Sequence, residues 1–195
     1  MRNMKIKISP TVWIMAAALL ISGDARSGAL LTILLAAALH ELGHITSAAI
    51  MKLRIKRIKI DIFGAIIETD ALSCSYVKES ILTLSGPLAN IFTALIATAI
   101  SLPFDTELFT VASIVFAFIN LLPARGFDGG RALSCLLLSL LSPAQASRIL
   151  SVTSFISVFA LWSISVYFIM RTGAYLSLFV FSSTLFARLF LGENE

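Results

Sequence analysis

Charge is scarce in this sequence. Only 13% of its 195 residues are Asp, Glu, Lys or Arg, against 58% that are hydrophobic. An ordinary soluble domain carries about 25% charged residues. That shortage excludes a conventional water-facing surface and makes polytopic membrane protein the class the composition predicts. Cysteine is nearly absent too: Cys74 and Cys135 stand far apart, with neither metal-type spacing nor a disulfide framework. No Gly-rich phosphate loop and no basic patch interleaved with aromatics is present, so nucleotide and nucleic acid are not expected partners. The net charge of +4 comes from basic residues gathered at the ends of apolar blocks, a pattern of membrane topology. The length suits one compact domain over residues 1–195.

What is abundant is apolar chain with few or no charges. It runs in blocks over residues 8–23, 27–51, 80–104, 108–124, 132–147, 149–170 and 172–187. A helical crossing takes about 20 apolar residues, and several blocks are shorter. The blocks 108–124 and 132–147 flank Arg125-Gly126-Phe127-Asp128-Gly129-Gly130-Arg131. Pro123 ends a helix there and the glycines disfavour restarting one. The pair is read as one crossing broken near Asp128, its backbone groups satisfied by protein or water. The expected fold is therefore an all-α polytopic membrane protein with six transmembrane helices. Seven independent spans is the alternative. Residues 1–23 mimic a signal peptide, but without a convincing small-residue cleavage site they are read as the first span.

Short-loop charge sets orientation. Arg2, Lys5 and Lys7 precede the first span, and Lys52, Arg54, Lys56, Arg57 and Lys59 follow the second. Both groups belong on the cytoplasmic side, and six crossings then put both termini in the cytoplasm. One segment differs in kind. Ile58, Ile60 and Ile62 alternate with Lys59, Asp61 and Phe63, Gly64-Ala65 could turn the chain, and Ile66-Ile67 resumes it. Period 2 with β-branched residues predicts a short membrane-associated β-hairpin over 54–69. An extended linker is the alternative.

The sequence has only 2 histidines, and they fall in His40-Glu41-Leu42-Gly43-His44. Helical residues four apart share one face, so both imidazoles can reach one zinc. Glu41 lies beside that face, within reach of a metal-bound water, as in the H-E-x-x-H arrangement of zinc proteases. At this composition the spacing with its glutamate arises by chance on the order of a few times in ten thousand. The bland alternative, buried polar residues that merely pack helices, conflicts with the expense of ionisable groups in an apolar span. Catalytic zinc usually has three protein ligands and a water. With no third histidine, the third ligand must be Asp, Glu or Cys. Asp128 is the only acid between Leu108 and Met170 and is the preferred candidate; Cys135 is the weaker one and fits a small packing residue. Ser85-Gly86-Pro87-Leu88-Ala89-Asn90 and Asn120-Leu121-Leu122-Pro123 mark two further spans, where Asn, Gly and Ser also serve as helix-packing residues.

Taken together, these residues resemble the site-2 protease family of intramembrane zinc metalloproteases. Three motifs match in order: His40-Glu41-x-x-His44, Ser85-Gly86-Pro87-x-x-Asn90, and Asn120-x-x-Pro123 leading to Asp128-Gly129-Gly130-Arg131. The first is generic to zinc proteases; the three together are specific. The resemblance implies the six-span family core, one zinc per chain held by His40, His44 and Asp128, and Glu41 as catalytic acid/base. It implies membrane-protein substrates, a regulatory membrane partner, and residence in a bacterial cytoplasmic membrane. Asn120, Asn90 and, at the hairpin tip, Phe63 and Gly64 are candidate substrate contacts. The compact size resembles members that activate a pro-sigma factor in sporulation, though without their C-terminal cystathionine-β-synthase-like regulatory domain. No PDZ domain lies between spans, and Gly126-Phe127 stands where the family often has a second proline. Rival functions are a membrane metal carrier and an inactive, binding-only relative.

Overall fold

Helix starts follow local capping chemistry. The structure, a computed structural model, describes residues 5–8, 25–53, 55–61, 64–69, 75–100, 104–173 and 176–190. Helix α1 runs over Ala25–Ile50. Helix α2 (Tyr76–Ala99) begins after Ser75, whose hydroxyl accepts the Lys78 N–H at 3.4 Å. Helix α3 (Thr106–Asn120) begins after Asp105, whose carboxylate accepts the Leu108 N–H at 2.9 Å. Each cap satisfies an N–H that its helix leaves orphaned. Helix α4 spans Asp128–Leu140. Helix α5 (Pro143–Thr172) opens with a reciprocal capping box between Ser142 and Gln145 and with Pro143 in its first turn. Helix α6 covers Leu176–Phe190.

Three stretches, Gly28–Ile50, Tyr76–Ala99 and Pro143–Thr172, are long and apolar enough to cross a membrane. The last, at 30 residues, extends roughly 45 Å at 1.5 Å per residue. Helix α3 and the Leu178–Ala187 part of α6 are apolar but shorter. The span expected over 8–23 lies, apart from Ile8, outside the described residues.

Strands β1 (Lys5–Ile8), β2 (Ile55–Asp61) and β3 (Gly64–Thr69) form one sheet in the order β1-β2-β3. Pairing of β2 with β3 is antiparallel, and β1 pairs with β2 in parallel, with Lys5 opposite Arg57 and Lys7 opposite Lys59. A two-stranded element was expected; the third strand comes from the basic N-terminal segment. Gly64 pairs with Asp61, so Gly64-Ala65 belongs to a strand and does not make the turn.

Two more boundaries differ from expectation. The block 108–124 ends as helix at Asn120, and helix resumes at Asp128, running straight through Gly129 and Gly130. Intrinsic glycine propensity is worth only about 1 kcal/mol per residue, and contact overrides it here, as shown below. The break between the next two blocks falls at Leu141-Ser142, not at Arg148, because Ser142, Pro143 and Gln145 carry a helix-start signal that a lone arginine does not.

The chain divides into two compact units, Met1–Leu121 and Leu122–Glu195. In the first, α1, α2 and α3 pack on one another around Ala36, Ala97 and Phe109. A Cβ on Gly43 of α1 would stand 2.6 Å from the Ser85 carbonyl oxygen and 2.7 Å from the Ala89 Cβ of α2, so these helices approach through small residues. In the second, α5 packs against α6. The rings of Trp162 and Phe186 stack at 5.6 Å, Trp162 Nε1–H donates to Ser183 Oγ at 3.1 Å, and the Ser165 and Ser182 hydroxyls bond at 2.7 Å.

Both units reverse the polarity of a water-soluble fold. Asn90, Ser113, Ser154, Ser165 and Ser182 are fully buried, while Ile50, Phe92 and Met170 are 64–82% exposed. Two of the buried serines turn back on their own helices: Ser154 donates to the Leu150 carbonyl at 2.6 Å and Ser165 to the Trp162 carbonyl at 2.7 Å. Such back-bonding lets a hydroxyl face an apolar neighbour without an unmet donor.

Candidate metal centre

His40 and His44 sit one turn apart on α1, both about 95% buried at 5% exposure. Their rings lie edge to face with centroids 4.8 Å apart, and their Nε2 atoms are 3.2 Å apart. Two nitrogens bound to one tetrahedral zinc at about 2.0–2.1 Å each lie roughly 3.3 Å apart. The pair therefore has the separation a shared zinc requires.

Helix α2 backs both rings from behind. His44 Nδ1 is 2.7 Å from the Leu82 carbonyl oxygen. A carbonyl only accepts, so the His44 proton is on Nδ1 and its Nε2 presents a lone pair. The Ser85 hydroxyl stands 3.4 Å from the same Nδ1 and donates to the same carbonyl at 2.6 Å. His40 Nδ1 faces the Asn90 amide nitrogen at 3.4 Å. Such outer partners fix imidazole orientation in metal sites. The helix carries them without breaking at Pro87.

Gly86 completes the cradle. A Cβ there would run into His44 Nε2 and stand 2.8 Å from His40 Nε2. The space a side chain would occupy is the space both imidazoles address. An open groove of about 480 Å³ lies between α1 and α2, lined by Leu39, Leu42, Gly43, Ile81, Ser85 and Phe92 among others.

Glu41 follows His40 on α1 and is half-buried, with its Oε2 atom enclosed. Asn120 is the last residue of α3, where its amide N–H donates to the Phe116 carbonyl at 3.0 Å. Asn90 is fully buried behind His40. Phe63 lies outside the described residues.

Asp128 belongs to the second unit, where it is the first residue of α4 and half-buried. Its position is set by the preceding loop. The Ala124 N–H bonds the Leu122 carbonyl at 2.8 Å, the Phe127 N–H bonds the Ala124 carbonyl at 3.2 Å, and Gly126 adopts φ +93°, a conformation that favours glycine. A Cβ on Gly130 would collide with the Ala124 carbonyl, so the glycine that appeared to oppose helix formation is what lets α4 start against the loop. Arg125 ties that loop to α5: its N–H donates to Ser154 Oγ at 2.9 Å, and its guanidinium donates to Ser147 Oγ at 3.0 Å and Ser151 Oγ at 2.9 Å.

Sequence reasoning thus singles out the two imidazoles, Glu41 and Asp128 but misses what holds them: the Leu82 carbonyl, the Gly86 cradle and the Arg125 anchor. The Ser85-Gly86-Pro87 motif was a signal for the second of these. A backbone carbonyl leaves none.

Residues 28–106 match the sequence profile of Peptidase family M50. Stage IV sporulation protein FB of Bacillus subtilis (strain 168) is 35% identical over 152 residues, covering 75% of this chain and 52% of that protein. The chain spans about half the length of that curated relative. The fold is also that of the Site-2 Protease from Methanocaldococcus jannaschii, with a TM-score of 0.65 at 15% identity, covering all of this chain and 93% of the solved one. The M50 profile match contains His40, Glu41, His44 and the whole of α2 that backs them.

Proposed function

We propose that this chain is a zinc-dependent intramembrane protease that cleaves membrane-anchored proteins and thereby releases or activates a regulatory factor. The observation that carries the proposal is the pair of Nε2 atoms 3.2 Å apart, one held bare by the Leu82 carbonyl, beside a position that only glycine leaves open. His40, His44 and Asp128 would hold one zinc, a donor set of two imidazoles and a carboxylate that suits this ion. Bound there, zinc supplies Lewis-acid polarisation of the scissile carbonyl and lowers the pKa of water. Glu41 takes a proton from the attacking water and delivers it to the amine nitrogen as the peptide bond breaks. Asn120, at the end of α3, donates a hydrogen bond to the substrate backbone. Strand β3 offers an edge on which an unwound substrate can pair.

A membrane setting is supported by the apolar exterior, the three long helices and the sheet. Pairing of β1 with β2 needs the two basic segments on one face of the bilayer, in keeping with a cytoplasmic sheet and cytoplasmic termini. The apolar groove between α1 and α2 suits aliphatic side chains of a membrane segment better than a polar peptide.

The substitution Glu41→Gln tests the proposal. The variant is expected to retain one zinc per chain by elemental analysis, to lose cleavage roughly 10²–10⁴-fold, and to trap a membrane protein in cells. A chain purified under mild conditions without any bound divalent metal sinks the protease reading. Metal uptake into proteoliposomes that survives Glu41→Gln turns it to a carrier.

A further inference from the structure

We infer that the groove between α1 and α2 seats one acyl chain of an anionic phospholipid, whose head group lies against Lys52 and Lys78. The inference stands apart from the proposed chemistry, since it needs only a bilayer around these two helices.

The groove has the dimensions of a single lipid chain. Its lining runs from Leu39 to Met51 on α1 and from Ile81 to Thr93 on α2. Each stretch rises about 18 Å at roughly 1.5 Å per residue. One leaflet of a hydrocarbon core about 30 Å thick is roughly 15 Å deep, so the groove has the length of one leaflet. Spread over about 18 Å of helix, its volume of about 480 Å³ makes a channel roughly 6 Å across. A helix with its side chains is about 10–12 Å across, and an extended strand needs about 10 Å in the direction of its side chains. Aliphatic side chains of a peptide can dip into such a channel singly. A hydrocarbon chain can fill its whole length. Leu42 and Phe92 at its sides are 53% and 64% exposed, which leaves it open to lipid.

Charge gives the channel a direction. Helices α1 and α2 run antiparallel, with His40 meeting Asn90 and His44 meeting Leu82. The end of α1 and the start of α2 therefore share one end of the groove, and each supplies an exposed lysine there. Lys52 directly follows Met51 of the lining. Lys78 precedes Ile81 by one turn, on the same helix face. The adjacent acid, Glu79, is half-buried. The lining residues at the far end, Leu39, Phe92 and Thr93, carry no charge. Lys52 is also the one non-glycine residue with positive φ among the described residues, at 53°. Its N–H bonds the Ala49 carbonyl at 3.0 Å and the Leu53 N–H bonds the Ala48 carbonyl at 2.9 Å. This is a Schellman closure, whose left-handed residue is usually glycine. A lysine held there against its backbone preference points to a task for its charge. An apolar channel one leaflet long with two cations at its mouth matches an anionic phospholipid, chain within and phosphate at the lysines.

The test uses the full chain in nonionic detergent micelles, stripped of lipid, with phosphatidylglycerol or phosphatidylcholine of the same acyl chains added in turn. Native mass spectrometry reads the lipid bound per chain. The wild type is expected to retain one phosphatidylglycerol and to hold phosphatidylcholine about 10–30-fold more weakly, the discrimination that two lysines near an anionic head group support. Replacing both lysines, Lys52→Gln with Lys78→Gln, should bring the two lipids level. Thr46→Phe, whose ring would enter the groove from an exposed position of its lining, should abolish retention of both. Thr46→Leu, with less bulk, gives a weaker form of the same result if Thr46→Phe fails to fold. Equal retention of the two lipids by the wild type, a preference that survives loss of both lysines, or undiminished retention by the Thr46 variants overturns the inference. So does a dimer that Thr46→Phe dissociates, or a protein substrate that crosslinks to a photoreactive residue placed at Thr46, because either gives the groove another occupant.

Discussion

His40 and His44 are held by a neighbouring helix, whereas Asp128 is held by the loop before it and the first turn of its own helix. The imidazole partners, Leu82 and Asn90, lie 38 and 50 residues away in sequence. They reach the rings only because α1 and α2 approach through Gly43 and Gly86. The supports of Asp128 are Ala124, Gly130 and the Arg125 anchor on α5. One side of the proposed centre depends on long-range packing and the other on local backbone geometry. Substitutions should therefore separate them: a change between α1 and α2 strikes both imidazoles at once, while a change in the loop moves the carboxylate and leaves the imidazoles as they were.

Gly86→Ala should have the largest effect. Its Cβ would meet both Nε2 atoms, so it competes with the cation for one space while leaving the ligands in the chain. Zinc affinity is expected to fall at least about 100-fold, at the upper end of what losing one outer-shell partner does, because two ligands are struck together. Equilibrium dialysis of purified variant against wild type measures it. Retention of zinc by Gly86→Ala would mean that the imidazoles address some other point, and the comparison would break on its first side.

What was legible in the sequence follows the same division. His40, Glu41 and His44 could be read because helical periodicity alone brings the imidazoles to one face, whatever the rest of the fold does. Asp128 could be read from scarcity, as a lone acid in a long apolar stretch. The supports of the histidines could not, since every residue offers a carbonyl and nothing in Leu82 marks it as the one that meets His44. The helix restart at Asp128 was misread because Gly129 and Gly130 argue against helix by propensity, and only the contact with Ala124 reveals why a glycine is needed. The third strand was also missed. Lys5-Ile6-Lys7-Ile8 has the period of a strand, but its 4 residues find their partner only after about fifty more.

Gly130→Ala tests the other side. The added Cβ would press on the Ala124 carbonyl, a backbone group that cannot turn aside. Overpacking of this kind destabilises by about 1–3 kcal/mol, and the better helix propensity of alanine offsets up to about 1 kcal/mol of it. Zinc binding should weaken roughly tenfold, for about 1.4 kcal/mol per decade, as the carboxylate shifts. The histidine ¹⁵N spectrum of the zinc-loaded variant should still match wild type. A changed histidine spectrum would show that the two sides are coupled and would retire the division drawn above.

Arg125→Ala should have the smallest effect and is the sharpest probe of the loop itself. The side chain is exposed, and its guanidinium bonds to Ser147 and Ser151 lie in reach of water, which lowers them below the usual charge-assisted value of about 1.5–3 kcal/mol each. The backbone bond from the Arg125 N–H to Ser154 survives the substitution. Thermal unfolding in detergent should therefore register a loss of about 1 kcal/mol, with zinc affinity changed less than about threefold, or roughly 0.65 kcal/mol. A tenfold fall in zinc affinity would mean that the guanidinium, rather than the backbone turn over Ala124, fixes Asp128. The carboxylate side would then depend, like the histidines, on a side chain that bonds to a neighbouring helix.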